Sequence, residues 1–121
     1  MRFLLFIYLS VPGILFSQPE INFIKKVHKF PKTTEGIILE HDFLFTNSGN
    51  EPLFIQNIKV SCSCTKFTFP KSEIKPGGSS QIHISFDTHK KHAWQDRKLI
   101  IFSNAKNSPE TIRFKVMVDN K

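Results

Sequence analysis

The only two cysteines of the chain, Cys62 and Cys64, stand one residue apart in "KVSCSCTKFTFP". That spacing allows a short-range disulfide, a two-thiolate ligand pair, redox chemistry, or simple packing. In a regular strand, residues i and i+2 share a face roughly 6.6 Å apart, twice the rise of about 3.3 Å. A disulfide needs Cβ atoms about 3.5–4.5 Å apart, so a Cys62–Cys64 bond requires the chain to pinch at Ser63. The bond would close almost no loop and would add little by chain entropy. As metal ligands, two thiolates fall short of the four donors that zinc takes, although soft monovalent copper can be held by two. His89 and His92 in "HKKH" are the further ligand candidates, but three-residue spacing in a strand or loop does not put them on one face. His28, His41 and His83 fall on three different expected strands. There is no C-x-x-C and no helix N-terminus to lower a thiol pKa, which leaves redox catalysis without its usual support. Free cysteine is also among the most buried residue types. Disulfide, buried thiols and a soft-metal pair all stay open, with a structural role foremost.

No other constellation suggests catalysis. The acids are few and scattered, no Ser-His-Asp order is visible, and "KPGGSS" lacks both the spacing and the following helix of a phosphate loop. The chain is read as a non-enzyme with no cofactor. A formal charge of +7 would suggest nucleic acid in a cytosolic chain, but the lysines are scattered and the N-terminus points to export. One basic group does gather: His89, Lys90, Lys91, His92, Arg97 and Lys98 surround the only tryptophan, Trp94. Read as a polar connection over 89–98, this is a candidate contact patch for an anionic or peptide partner, since binding energy concentrates on Trp and Arg anchors. The alternative is a solvated hairpin with Trp94 folded onto the end of the domain.

The elements that must carry these residues are strands. "MRFLLFIYLSVPGILFSQ" has Arg2, an apolar run from Phe3 to Phe16 broken by Ser10 and Pro12-Gly13, and then small Ser17. That is the layout of a secretory signal peptide, shorter than the roughly 20 apolar residues of a membrane anchor. Residues 1–17 are expected to be removed, leaving a domain over 18–121 with no transmembrane segment. Beyond Gln18 apolar residues alternate with polar ones, and turn residues interrupt them every eight to twelve positions. Ile37, Leu39, Phe43 and Phe45 are expected inward, with Glu40, Asp42 and Thr46 outward. "NSGN" marks a turn, and Pro52 after it cannot donate to a central ladder. A strand then runs from Leu53 to Cys64, its alternation slipping at Gln56-Asn57 as at a bulge. Ile82, Ile84 and Phe86 are inward against His83 and Ser85. "KLIIFSN" reads as a central strand covered on both sides. Ile112, Phe114, Val116 and Val118 are inward, with Arg113 and Lys115 outward. One opening strand lies within 21–30. With 13 phenylalanines and single Tyr and Trp residues, the inward stripes need no buried hydrogen-bond partner. The pattern predicts an all-β sandwich of about seven strands.

The stretch from His41 to Thr88, followed by Ser103-Asn104, resembles a bacterial secreted domain family of unknown function. Its pattern is matched at Glu35-Gly36, Phe45, Asn47, Gly49, Pro52-Leu53, Ser61 to Thr65, Ile74, Pro76-Gly77, Phe86 and Thr88. The resemblance implies an immunoglobulin-like sandwich related to the hydin and major sperm protein domains, in exported proteins, and it brings no catalytic residues. Ser63 stands where the family has Gly between the cysteines, and Pro31 and Thr33 depart from its usual first turn. The expected role is an exported, non-catalytic interaction or structural module of the cell envelope with an unidentified protein or peptide partner. A soft-metal binding protein using Cys62 and Cys64 is the alternative.

Overall fold

The alternation noted above becomes two layers. A computed structural model describes residues 18–120; the expected export segment, residues 1–17, lies outside them. Among the described residues there are nine strands: β1 (Ile21–Phe23), β2 (Val27–Lys29), β3 (Thr33–Thr34), β4 (Ile38–Asn47), β5 (Ile55–Val60), β6 (Thr65–Thr68), β7 (Ser79–Asp87), β8 (Ala93–Ser103) and β9 (Glu110–Asp119). One sheet has the order β1-β4-β7-β6; the other has the order β2-β9-β8-β5, with β3 also pairing β9. Among these residues no helix is long and apolar enough to cross a membrane.

Phe43, Phe45, Ile82, Ile84 and Phe86 from the first sheet meet Leu99, Ile101, Ile112, Phe114, Val116 and Val118 from the second, all fully buried. Phe86 and Phe114 join the layers with ring centroids 5.0 Å apart. Each such side chain contributes about 1.5–3 kcal/mol through the water it sheds, and none brings a polar atom that must be satisfied. The register slip expected near Gln56-Asn57 is present, as a shift of the β5–β8 ladder between Ile55 and Asn57.

Four expectations change. The opening strand is three pieces, because the chain pairs with β4 as β1 and then crosses to run parallel to β9 as β2 and β3. Those pieces turn about seven strands into nine. Ile37 has the inward parity of Leu39 but lies before β4 begins and is exposed. The strand through Lys59 stops at Val60, and the cysteines lie in the crossing to β6 rather than in a strand. Finally, β8 is covered on one face only: Leu99 and Ile101 are buried, while Ile100 and Phe102 are half-exposed on the outer side.

Candidate functional site

Cys62 and Cys64 are joined Sγ to Sγ, with Cα atoms 5.2 Å apart. The pinch is made by a turn. The Thr65 amide donates to the Cys62 carbonyl at 3.1 Å, and the Cys64 amide lies 3.2 Å from Cys62 Sγ. Ser63 is not among the described non-glycine residues with positive φ, which are Lys90 and Ala93, so the turn makes no special demand for glycine at that position. With the sulfurs bonded to each other, neither is a thiolate ligand. Among the described residues no group of three or more His, Cys, Asp or Glu side chains has the arrangement to hold a metal ion. His89 and His92 do not join the cysteines; His89 Nδ1 lies 3.5 Å from Glu35 Oε2.

The patch expected over 89–98 is divided by the fold. The connection is only residues 88–92, since β8 begins at Ala93. His89, Lys90, Lys91 and His92 belong to it. It is tied by the His89 amide on Asp87 Oδ1 (2.9 Å), the Lys90 amide on Glu35 Oε2 (2.8 Å) and the Lys91 amide on the Thr88 carbonyl (2.9 Å). Within β8, parity separates the rest. Arg97 shares the inward side with Gln95 and Leu99. Its guanidinium lies 5.5 Å from the Phe86 ring centre and donates to Gln95 Oε1 at 2.6 Å. Trp94 and Lys98 face outward, and Trp94 is 45% exposed on the sheet face rather than folded over an end.

Around Trp94 the structure brings residues that the linear sequence does not group. Lys29 of β2 places its ammonium 5.4 Å from the indole centre, and Met117 of β9 is directly across the ladder. Toward the other end of β8, Lys59 of β5 lies 5.7 Å over the Phe102 ring. Arg113 Nε bonds Asp96 Oδ1 at 2.9 Å, and Lys115 stands opposite Asp96. The outer face of this sheet therefore carries Lys29, Lys59, Lys98, Arg113 and Lys115 against the carboxylates of Asp96 and, at the end of β9, Asp119, interleaved with Trp94, Ile100, Phe102 and Met117. Lys59, Val60, Ser61, Asp96, Lys98 and Ile100 line a depression of about 490 Å³. The signal for this face was outward parity on four strands, but it is legible only once the strand order is known.

Three polar arrangements were not anticipated. On the other sheet's outer face, His83 bridges Asp42 (2.6 Å) and Glu40 (2.8 Å), and these carboxylate bonds hold its pKa above the ordinary value. His28 of β2 stacks on His41 of β4, with ring centroids 3.6 Å apart. Burial pushes both below the ordinary value, and Lys25 beside His28 and His28 beside His41 add to it. Asn47, read from sequence as part of a turn, is fully buried and makes four hydrogen bonds to backbone groups.

Comparisons place this geometry among known folds. A protein of unknown function from Porphyromonas gingivalis W83 superposes with a TM-score of 0.73 at 18% identity, over 88% of this chain and 50% of that one. This chain thus spans half the length of that protein. The ASH/PapD-like domain 7 of human CEP192 matches at a TM-score of 0.61 and 12% identity, covering 98% of this chain and 97% of that one. SSP-19, an MSP-domain protein of Caenorhabditis elegans, gives 0.51 at 15% identity over 74% and 94%. At these identities the likeness is one of fold, and it makes the sandwich immunoglobulin-like. A search of curated proteins found no match. The family model described as "Protein of unknown function (DUF1573)" matches residues 21–118, nearly the whole sandwich, and the chain belongs to that family.

Proposed function

We propose that this chain is an exported, non-catalytic interaction module of the bacterial cell envelope, which docks an acidic surface or segment of a partner protein on the outer face of the β2-β9-β8-β5 sheet. The observation that carries the reading is the five cations set among Trp94, Ile100, Phe102 and Met117, with two carboxylates, Asp96 and Asp119, on the same face. Cations gathered on one face raise the potential out to a Debye length of about 8 Å and steer anionic groups. A half-exposed indole flanked by a lysine supplies the kind of anchor on which binding energy concentrates. Export is supported by Arg2, the apolar run Phe3–Phe16 and small Ser17, and by a cysteine pair bonded as in oxidising compartments. No observation favours the soft-metal reading, because the two sulfurs are bonded to each other.

The test is binding of a labelled acidic peptide containing aromatic residues, followed by anisotropy at several salt concentrations. Lys59→Glu with Lys98→Glu should weaken binding at least about tenfold, and Trp94→Ala should weaken it while stability stays within about 1 kcal/mol of the parent. Binding untouched by both changes, or binding of anionic vesicles with no peptide affinity, overturns the protein-docking reading. Envelope-fraction protein should begin near Gln18; a cytoplasmic form retaining Met1 removes the export part.

A further inference from the structure

β1 pairs β4 only at Phe45, Thr46 and Asn47, and its last contact is the Ile24 amide on the Leu44 carbonyl at 3.0 Å. The chain then departs to the other sheet as β2. β4 continues to Ile38, so the stretch 38–43 has β7 on one side and, among the described residues, no strand on the other. Hydrogen-bonded pairs alternate along an antiparallel ladder. The Asn47 amide donates to the Gly78 carbonyl, and the Thr88 amide to the Ile37 carbonyl, so the odd residues of β4 bond toward β7. The backbone groups of Ile38, Glu40 and Asp42 therefore point to the open edge.

Other edges of the sandwich are blunted in the usual ways. β5 carries the irregularity between Ile55 and Asn57, β6 has four residues between the disulfide turn and Pro70, and β2 and β3 are three and two residues separated by Pro31. The free stretch of β4 keeps a regular register throughout and contains no proline. Where β1 leaves, Ile24, Lys25, His41, Asp42, Phe43 and Leu44 line a cleft of about 130 Å³ along the line an added strand would take. The side chains beside this edge set the occupant. On the outer face they run Ile38, Glu40, Asp42, Leu44: apolar, acidic, acidic, apolar, with Ile38 59% exposed and Ile24, bonded to Leu44 at the other end, 70% exposed. His83 sits between the two carboxylates, which leaves the trio net negative in either of its protonation states. Lys25 is the cation at the far end of the cleft. Two copies paired by a two-fold centred on Glu40 or His41 would set carboxylate against carboxylate, which disfavours self-pairing.

We propose that the 38–43 edge of β4 is a strand-addition site for an extended segment of a partner polypeptide that carries basic residues at alternate positions, flanked by apolar ones. Main-chain bonds to Ile38, Glu40 and Asp42 hold the segment, and its cations lie beside Glu40 and Asp42, the mode by which sheet edges take up peptides. This site lies on the opposite sheet from the acidic-partner face, so either assignment can fail without the other.

The experiment titrates the folded domain with a peptide alternating lysine and valine, read by amide exchange and chemical shifts. The expected result is protection of the Glu40 and Asp42 amides, with no binding by the same peptide N-methylated at alternate positions. Glu40→Pro removes an edge donor without removing a β7 bond and should abolish binding, and Glu40→Lys with Asp42→Lys should weaken it at least tenfold. The N-methylated peptide keeps the test decisive if Glu40→Pro fails to fold. No binding at millimolar peptide, protection at β5 or β6 instead, N-methylated peptide binding equally, or dimerisation of the domain through this edge would each overturn the proposal.

Discussion

Asn47 separates a turn reading of "NSGN" from a structural one, because substitutions there have opposite consequences under the two. Its Nδ2 donates to the carbonyls of Glu51 (2.7 Å) and Ile74 (3.0 Å); its Oδ1 accepts from the amides of Gly49 (3.0 Å) and Glu20 (3.3 Å). The side chain therefore ties the N-terminal segment, the β4–β5 connection and the approach to β7 to one point. Asn47→Ala removes four bonds at about 0.5–1.5 kcal/mol each, and the Ile74 carbonyl keeps only the Leu53 amide at 2.9 Å. A loss of about 2–5 kcal/mol is expected. Asn47→Asp retains the acceptor but turns a buried oxygen toward two carbonyls, so its neutral-pH loss should exceed that of alanine. The folded carboxyl is disfavoured when charged and its pKa rises above the usual value of about 3.9. The sign follows: the aspartate penalty is full above the raised folded pKa and shrinks as pH falls toward the unfolded value, whereas the alanine penalty does not depend on this titration. Urea denaturation of the parent and both variants at neutral and acid pH measures this. If Asn47→Ala costs under about 0.5 kcal/mol, or if the aspartate penalty keeps the pH dependence of the alanine one, the buried-staple argument is refuted and a solvated turn residue is the better description.

Truncating Phe114 or Ile84, both fully buried, should cost about 3–5 and 2–5 kcal/mol, while Lys115→Ala on the outer face should stay within about 0.5; equal losses at 114 and 115 in denaturant would contradict the β9 register. The histidines shape stability against pH from both sides. His28 and His41, with lowered pKa values, make the fold less stable as pH falls below about 6.5, while His83, with a raised one, contributes stability that is complete below about 6.5 and disappears as pH rises through its folded value. Denaturant midpoints between about pH 5 and 8 should therefore show a flattened acid limb in His41→Phe and a flattened alkaline limb in His83→Ala, and unchanged limbs in both variants would discard these assignments.

Much of the sandwich was legible because period-two burial is a local property. Phe43, Phe45, Ile82, Ile84, Phe86, Ile112, Phe114, Val116 and Val118 are inward as their alternation implies, and the Gln56-Asn57 slip marks a real irregularity. What sequence could not show depends on where strands go rather than which side they bury. "KLIIFSN" reads as covered on both faces because Ile100 and Phe102 are apolar, yet they belong to the outer side, beside Lys59. Arg97 and Lys98 are neighbours in the chain and face opposite ways, so grouping cations by proximity along the sequence joins two faces. His28 and His41 lie on strands of different sheets, and only the departure of β1 from β4 brings their rings together.

The net charge of +7 conceals a division that bears on both proposals. Glu40, Asp42 and Asp87 lie on the outer face of the β1-β4-β7-β6 sheet with Lys66, while Lys29, Lys59, Lys98, Arg113 and Lys115 lie on the outer face of the other with Asp96 and Asp119. Parity produces this division, because the charged residues of both sheets, Arg97 and Glu110 apart, take the outward positions, and the strand order then decides which charges become neighbours. An acidic partner is attracted to one side and a basic strand to the edge of the other. The sandwich core separates the two sites by about the 10 Å spacing of packed sheets, which is comparable with the Debye length at physiological salt. Screening therefore weakens each attraction without making the sites compete. The acidic peptide and the lysine–valine peptide should bind one molecule together, and displacement of either by the other at low protein concentration would mean that they share a surface.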